Sequence, residues 1–338
     1  ELIKNAVARG RILGECSNLA KRLANEPGNQ LSPSILAEQA LEILKGTSLE
    51  IDVLDEDSIR ELGMGLLLGV AQGSVEPPRV IVMRHEPAGV TDGPVLALIG
   101  KGVTFDSGGI SLKPAESMER MKEDMSGGAA VICAMRAISQ LNPSIRVIGI
   151  VPTTENMPGG RAVKPGDVLY GASGTTVEVI NTDAEGRLIL ADALWYAMEL
   201  GATHLVDVAT LTGGCIVALG NTTSGLFGAP DSWVNTVRDI ANQAGDRVWP
   251  MPVFDDYSEQ LRSDIADVAN VGGRPASAIT AAMFLKRFTD GRPWVHLDIA
   301  GTAWSEQNSA HQKKGPTGVA VRTLVELACA SERWNKIK

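Results

Sequence analysis

Val95-Leu96-Ala97-Leu98-Ile99-Gly100 runs directly into Lys101-Gly102-Val103-Thr104-Phe105-Asp106-Ser107-Gly108-Gly109-Ile110-Ser111-Leu112-Lys113. The first stretch is continuously apolar, the pattern of a strand buried on both faces of a sheet. The second is a glycine-rich loop that carries two lysines and an aspartate. Glycine lets a backbone and a ligand approach closely. It is not a phosphate loop of the Walker type, which ends in Gly-Lys-Ser/Thr and enters a helix. Here the lysine stands near the start and no helix follows. The GxGxxG spacing fails as well.

Outward from this strand, β and α patterns alternate. Residues 49–54, 79–84, 146–151, 176–180, 204–208 and 294–297 read as strands. Residues 57–62, 127–141, 187–200, 280–288 and 318–328 read as helices. Toward the N-terminus, residues 1–24 place Leu2, Ile3, Val7, Ile12, Leu13, Leu19 and Leu23 near helical spacing. Asn25-Glu26-Pro27-Gly28-Asn29 is a break. A second helix over 33–45 follows, with Ser32 as N-cap and Pro33 at its first position. Continuous apolar strands between helices predict one α/β domain: a central mixed, mostly parallel sheet flanked by helices on both faces. Ligands in such folds gather at the carboxyl ends of the strands.

The 338 residues are 44% apolar and 21% charged, with a net charge of −9. A core of ordinary size is available. The acidic balance argues against non-specific nucleic-acid binding, which needs lysine and arginine at the phosphates. Cys16, Cys133, Cys215 and Cys329 are far apart, and read as reduced, mostly buried thiols. His85, His204, His296 and His311 are scattered, and HExxH is absent. Any metal here must therefore be held mainly by carboxylates. No apolar run is long enough to span a bilayer, and no signal peptide is visible.

Three segments carry acids at strand–helix junctions. Asp106 lies in the loop already quoted. Asp124 lies in Met121-Lys122-Glu123-Asp124-Met125-Ser126, just before the 127–141 helix. Taken alone it reads as a helix cap. Asp183 and Glu185 lie in Asn181-Thr182-Asp183-Ala184-Glu185-Gly186-Arg187-Leu188, where capping plus a surface ion pair is the plain alternative. Four carboxylates gathered in one domain repel unless something neutralises them. Two divalent cations would balance them charge for charge. Oxygen ligands suit Mg²⁺ or Mn²⁺, and Zn²⁺ accepts them too. Paired metals are a device for activating water in hydrolysis.

Together, GKGVTFDSGGISLKP (100–114), MKEDMSGGAAV (121–131) and NTDAEGRL (181–188) resemble the leucyl aminopeptidase (cytosol aminopeptidase) family of metallopeptidases. The last of these is that family's signature. The similarity continues through ATLTGG (209–214), the segment from Ser263, WVHLDIAGTAW (294–304) and KGPTGVAVRTLVE (314–326), so it covers nearly the whole chain. It implies an aminopeptidase that removes N-terminal residues from short peptides, with two Zn²⁺ or Mn²⁺ ions per subunit. Asp106 and Glu185 would bridge both ions. Lys101, necessarily neutral, and Asp124 would complete one site. Asp183 would complete the more exchangeable one. Lys113 would stabilise the oxyanion, and Arg187 would hold a bicarbonate that acts as general base. Thr210, Leu211 and Gly213 would contact the substrate backbone, and Met121 would wall the first side-chain pocket.

The resemblance also implies a cytoplasmic homohexamer. It makes 1–24 an interdomain linker helix and 25–338 the catalytic domain, with the family's N-terminal domain absent. Three other readings stand beside it. One is a DNA-binding regulator, which the acidic charge opposes. Another is an inactive relative, which would have lost ligands that this chain keeps. The last is a different two-metal hydrolase such as a phosphatase, which would recruit histidines.

Overall fold

The computed structural model describes residues 2–310 and 312–337. Glu1 and His311 lie outside the described residues, and of Leu2 only the backbone is described.

The strand Val95–Gly100 sits near the middle of a nine-stranded sheet. Across the sheet the order is Glu50–Leu54, Arg79–His85, Arg146–Asn156, Val95–Gly100, His204–Ala209, Trp294–Asp298, Ser224–Ala229 and Val248–Pro250. The four central strands, from Arg146–Asn156 to Trp294–Asp298, are parallel. Antiparallel neighbours flank them on both sides, Arg79–His85 at one edge and Ser224–Ala229 at the other. The sheet is mixed and mostly parallel, as the apolar strand runs indicate.

Alternation along the strands divides the core in two. Leu96, Leu98, Val206, Val208, Val295 and Leu297 face one layer, which includes the helices Leu2–Asn25, Ser126–Leu141, Asp231–Ala244 and Val321–Cys329. Ala97, Ile99, Leu205 and Trp294 face the other, which includes Glu185–Glu199 and Ser277–Lys286. Both faces are covered, so the central strands need no polar side, and the continuous apolar runs follow from that.

The glycine-rich segment is not wholly a loop. Gly102–Asp106 is a strand that continues beside Arg146–Asn156, and that strand runs five residues beyond the expected 151. Val103, Thr104 and Phe105 are strand formers, and the flanking glycines hid them. The interruption falls at Lys101. Its N–H donates to the carbonyl of Val208 (3.0 Å), and its own carbonyl accepts from Gly128 N–H (2.7 Å). Backbones crowd at this point: a Cβ on Gly127 would lie 2.1 Å from the Val208 carbonyl oxygen. This close approach seats the first turn of Ser126–Leu141 on the carboxyl ends of the central strands.

Elsewhere the boundaries shift by a few residues. The helix expected over 318–328 is Val321–Cys329, and that over 280–288 is Ser277–Lys286. Ser32 is the N-cap position of Pro33–Leu44 but makes no side-chain cap bond. All four cysteines are free thiols, three of them buried. No helix is long and apolar enough to cross a membrane among the described residues.

Candidate active site

The carboxyl edge of the parallel strands collects the acids. Asp106 ends its strand and is buried. One of its oxygens accepts from Gly108 N–H (2.9 Å) and from Asn156 Nδ2 (2.8 Å). The turn beyond it needs glycine. Gly108 and Gly109 have φ of 88° and 69°, and a Cβ on Gly108 would lie 2.9 Å from the Asp183 carboxylate.

Asp124 follows the 3₁₀ helix Met118–Glu123. It is not a helix cap. The N-cap position of Ser126–Leu141 is Met125, and the Asp124 side chain turns inward to Thr210 Oγ1 (2.7 Å) and Lys101 Nζ (2.8 Å). Glu185 opens the helix Glu185–Glu199, fully buried, 2.7 Å from Lys101 Nζ. Gly186 leaves room for that lysine, because a Cβ there would lie 2.9 Å from Nζ.

Oxygens of Asp106, Asp124 and Glu185 all lie within 4.8 Å of one another. Asp183, half-buried, is joined to Asp106 through Lys113, whose Nζ lies 2.5 Å from the one and 2.7 Å from the other. The structure therefore brings Lys101, Asp106, Lys113, Asp124, Asp183 and Glu185 together. Arg187 lines the same cavity, which has a volume of about 460 Å³. It is no surface ion pair. It is buried, its Nη1 donates to the carbonyl of Asn270 (2.7 Å), and its Nε has no partner among the described residues. Met121, Thr210, Leu211 and Gly213 line the cavity as well.

Four carboxylates in this pocket face the ammonium groups of Lys101 and Lys113 and the Arg187 guanidinium. Burial pushes the Asp106 carboxyl up to about 6, and the charge of Glu185 adds to the push. Asp124 is raised well above the usual carboxylate range by burial, against the pull of Lys101. Glu185 alone of the three is held low, since Lys101 and Lys113 outweigh its burial. Both lysines are raised: burial opposes their charge, but the surrounding carboxylates overcome it. Burial lowers Arg187 to about 10, so it remains a cation at neutral pH. An oxygen-rich, buried cluster fits divalent cations by donor type.

Three residues of the site lay outside the sequence reading. Asn156 Nδ2 faces Asp106, the Thr182 carbonyl (3.0 Å) and Glu185 (3.4 Å). Asn270 accepts from Ile180 N–H and donates to the Asn181 carbonyl, so it fixes the turn that carries Asp183. Asp298, at the end of Trp294–Asp298, accepts from Leu211 N–H (3.2 Å) and Thr212 Oγ1 (2.6 Å) and so shapes the Thr210–Gly213 loop. Asp298 and Asn270 stand inside motifs already singled out, and their position at strand ends was the available signal. Asn156 gave none, because the strand that carries it was read as ending at 151.

The family described as the cytosol aminopeptidase family, catalytic domain, matches residues 18–325. A probable cytosol aminopeptidase of Solibacter usitatus is 57% identical over 326 residues, 96% of this chain and 68% of that protein. One of Koribacter versatilis is 52% identical, covering 96% and 64%. The chain thus spans about two thirds of the length of these relatives. Among solved structures, the bottromycin maturation enzyme BotP in complex with Mn superimposes with a TM-score of 0.93 at 40% identity, over 97% of this chain and 72% of that one. The chain belongs to the cytosol aminopeptidase family, and the part of that family it represents is the catalytic domain.

Proposed function

We propose that this domain is a metal-dependent exopeptidase that hydrolyses the N-terminal residue from short peptides. One observation carries the reading: carboxylates from three separate chain segments meet within 4.8 Å in a buried pocket at the carboxyl edge of the sheet. Asp106 and Glu185 would hold both ions, Lys101 and Asp124 would serve one of them, and Asp183 would serve the other. Divalent cations bound here, Mn²⁺ or Zn²⁺, supply Lewis acidity and a nucleophilic water at neutral pH. Lys101 must then lose its proton, which two adjacent cations favour.

Lys113 serves the reaction as a cation. The carboxylates keep it protonated, so it is ready to polarise the scissile carbonyl and to stabilise the oxyanion that develops there. Arg187, cationic and with an unused Nε, would hold a bicarbonate ion, which would supply a proton acceptor. Thr210, Leu211 and Gly213 position the substrate backbone, and Met121 walls the first side-chain pocket. An apolar wall favours leucine or methionine by only about 1–3 kcal/mol per methylene, so specificity is broad.

We further place the protein in the cytoplasm as a homohexamer, with residues 1–24 as an interdomain linker helix. The names of its relatives support the first of these. The test is hydrolysis of leucine p-nitroanilide by metal-stripped protein before and after addition of Mn²⁺ or Zn²⁺. Activity that appears with metal is the expected result. A folded protein that stays inactive with every metal tried overturns the reading.

A further inference from the structure

Behind the Met121 wall lies a second compartment of about 280 Å³. Met121, Glu123, Ile216 and Ala300 line both spaces, so the two share a wall. The second compartment is charged. Arg120 bonds Glu123 Oε1 (3.2 Å) on one side and Glu306 on the other, and its guanidinium lies 5.2 Å from the centre of the Trp304 ring. Two carboxylates share this one guanidinium.

The wall is also unsatisfied. Glu123 is 9% exposed, and its Oε2 is buried with no partner among the described residues. Arg120 Nε and Trp304 Nε1, in the same compartment, are likewise unpartnered. Buried polar atoms are nearly always bonded, so the orphaned acceptor Glu123 Oε2 marks a place where a donor belongs. Arg120 is already shared by two acids. The free acceptor is Glu123 Oε2.

We propose that Glu123 selects peptides whose N-terminal residue is lysine or arginine. The inference rests on the aminopeptidase reading above and departs from it only in the first side chain preferred, basic in place of apolar. The aliphatic stem of such a side chain would lie against Met121 and Ile216, and its cationic tip would enter the second compartment and donate to Glu123. Long basic side chains bury their stems along apolar surface in this manner. A charge-assisted bond to a buried carboxylate contributes enough to change selectivity about tenfold or more.

The experiment compares kcat/KM for aminomethylcoumarin derivatives of lysine, arginine, glutamine, norleucine and leucine, using the Mn²⁺-loaded protein and its Glu123→Gln variant. Lysine is expected to exceed norleucine, its apolar counterpart, and Glu123→Gln is expected to lower that ratio about tenfold. A ratio that does not change on substitution overturns the proposal, as does glutamine exceeding lysine in the wild type. Should the variant not fold, inhibition of the wild type by free L-lysine and L-norleucine decides. Tighter inhibition by lysine supports the proposal and equal inhibition rejects it. Wild-type protein that cleaves none of the five substrates refutes the aminopeptidase reading itself. Cleavage of leucine without a preference for the basic residues refutes only the role given to Glu123.

Discussion

At the scale of single residues, the site is an acid cluster whose members have different jobs. Glu185 touches Lys101 and lies among the shared oxygens. Glu185→Gln removes one negative charge from the centre of the cluster and should lose metal and activity together. Bound Mn²⁺, measured by calorimetry, that matches wild type would exclude its bridging role. Lys113 is argued to act on the substrate, so Lys113→Ala should keep the metals and lose most turnover. A kcat near wild type would show that its role is misassigned. Asn156 touches Asp106 and Glu185 through one amide and reaches no substrate. Partners that orient metal ligands in this way are worth about 10–100-fold in affinity. Asn156→Ala should weaken Mn²⁺ binding by that order in calorimetry, and unaltered binding would reduce Asn156 to a packing role.

At the scale of elements, each functional group is held by a junction between a strand and a helix, and buried polar anchors hold the junctions. Asp192, on the helix Glu185–Glu199, is the clearest of them. Its carboxylate accepts from Leu66 N–H (3.0 Å), Leu67 N–H (3.0 Å) and Ala172 N–H (2.9 Å). It ties the helix that carries Glu185 and Arg187 to two segments with no part in the chemistry. Asp192→Ala leaves three buried donors without an acceptor, at about 1–3 kcal/mol each before relaxation. The unfolding midpoint should fall steeply in a thermal or urea melt, while a midpoint within a degree of wild type would show that water replaces the carboxylate.

Junctions of this kind also limit what a sequence reveals. The Ser126–Leu141 helix was legible from its alanine-rich pattern. The inward turn of Asp124 was not, because a cap and a metal ligand occupy the same sequence position. The tertiary contact with Thr210 and Lys101 excludes the cap. Asp231–Ala244 and Ser224–Ala229 carry no chemical motif and gained their place only through packing on the sheet edge.

At the scale of the whole molecule, the C-terminal segment closes over one face of the sheet through His204. That imidazole packs against Trp233 and Trp334, and its Nε2 meets the carbonyl of Ile337 at 3.1 Å. Burial lowers its pKa to about 4. The folded state thus favours neutral imidazole, whereas the unfolded chain titrates near the ordinary value of about 6.5. The stabilisation is complete above about 6.5 and is lost as pH falls from there toward 4. Between pH 7 and 5 the unfolding midpoint should fall more in the wild type than in His204→Asn, with the tryptophan signal as the probe. Equal falls would show that His204 is not the titrating group. Metal acts on the molecule in the opposite sense. Mn²⁺ at 100 times its dissociation constant stabilises by about 2.7 kcal/mol if it binds the folded state alone. A midpoint that rises with Mn²⁺ in the wild type and not in Glu185→Gln is the expected outcome.

The sequence alone determined the fold class and the chemical inventory of this protein. Covalent order fixes which residues follow a buried strand, and apolar periodicity fixes which segments must be covered on both sides. Four acids, two lysines and an arginine at the ends of such segments were therefore readable as one candidate site. Tertiary structure decided what depends on approach through space: that Asp124 faces Lys101 and does not cap its helix, that Arg187 is buried against a carbonyl, that Asn156 joins two carboxylates 79 residues apart in the chain, and that Glu123 lies between two cavities. Charge, desolvation and hydrogen bonding vary over a few ångströms. Spacing along a chain does not report distances of that size between segments that meet only when the sheet forms.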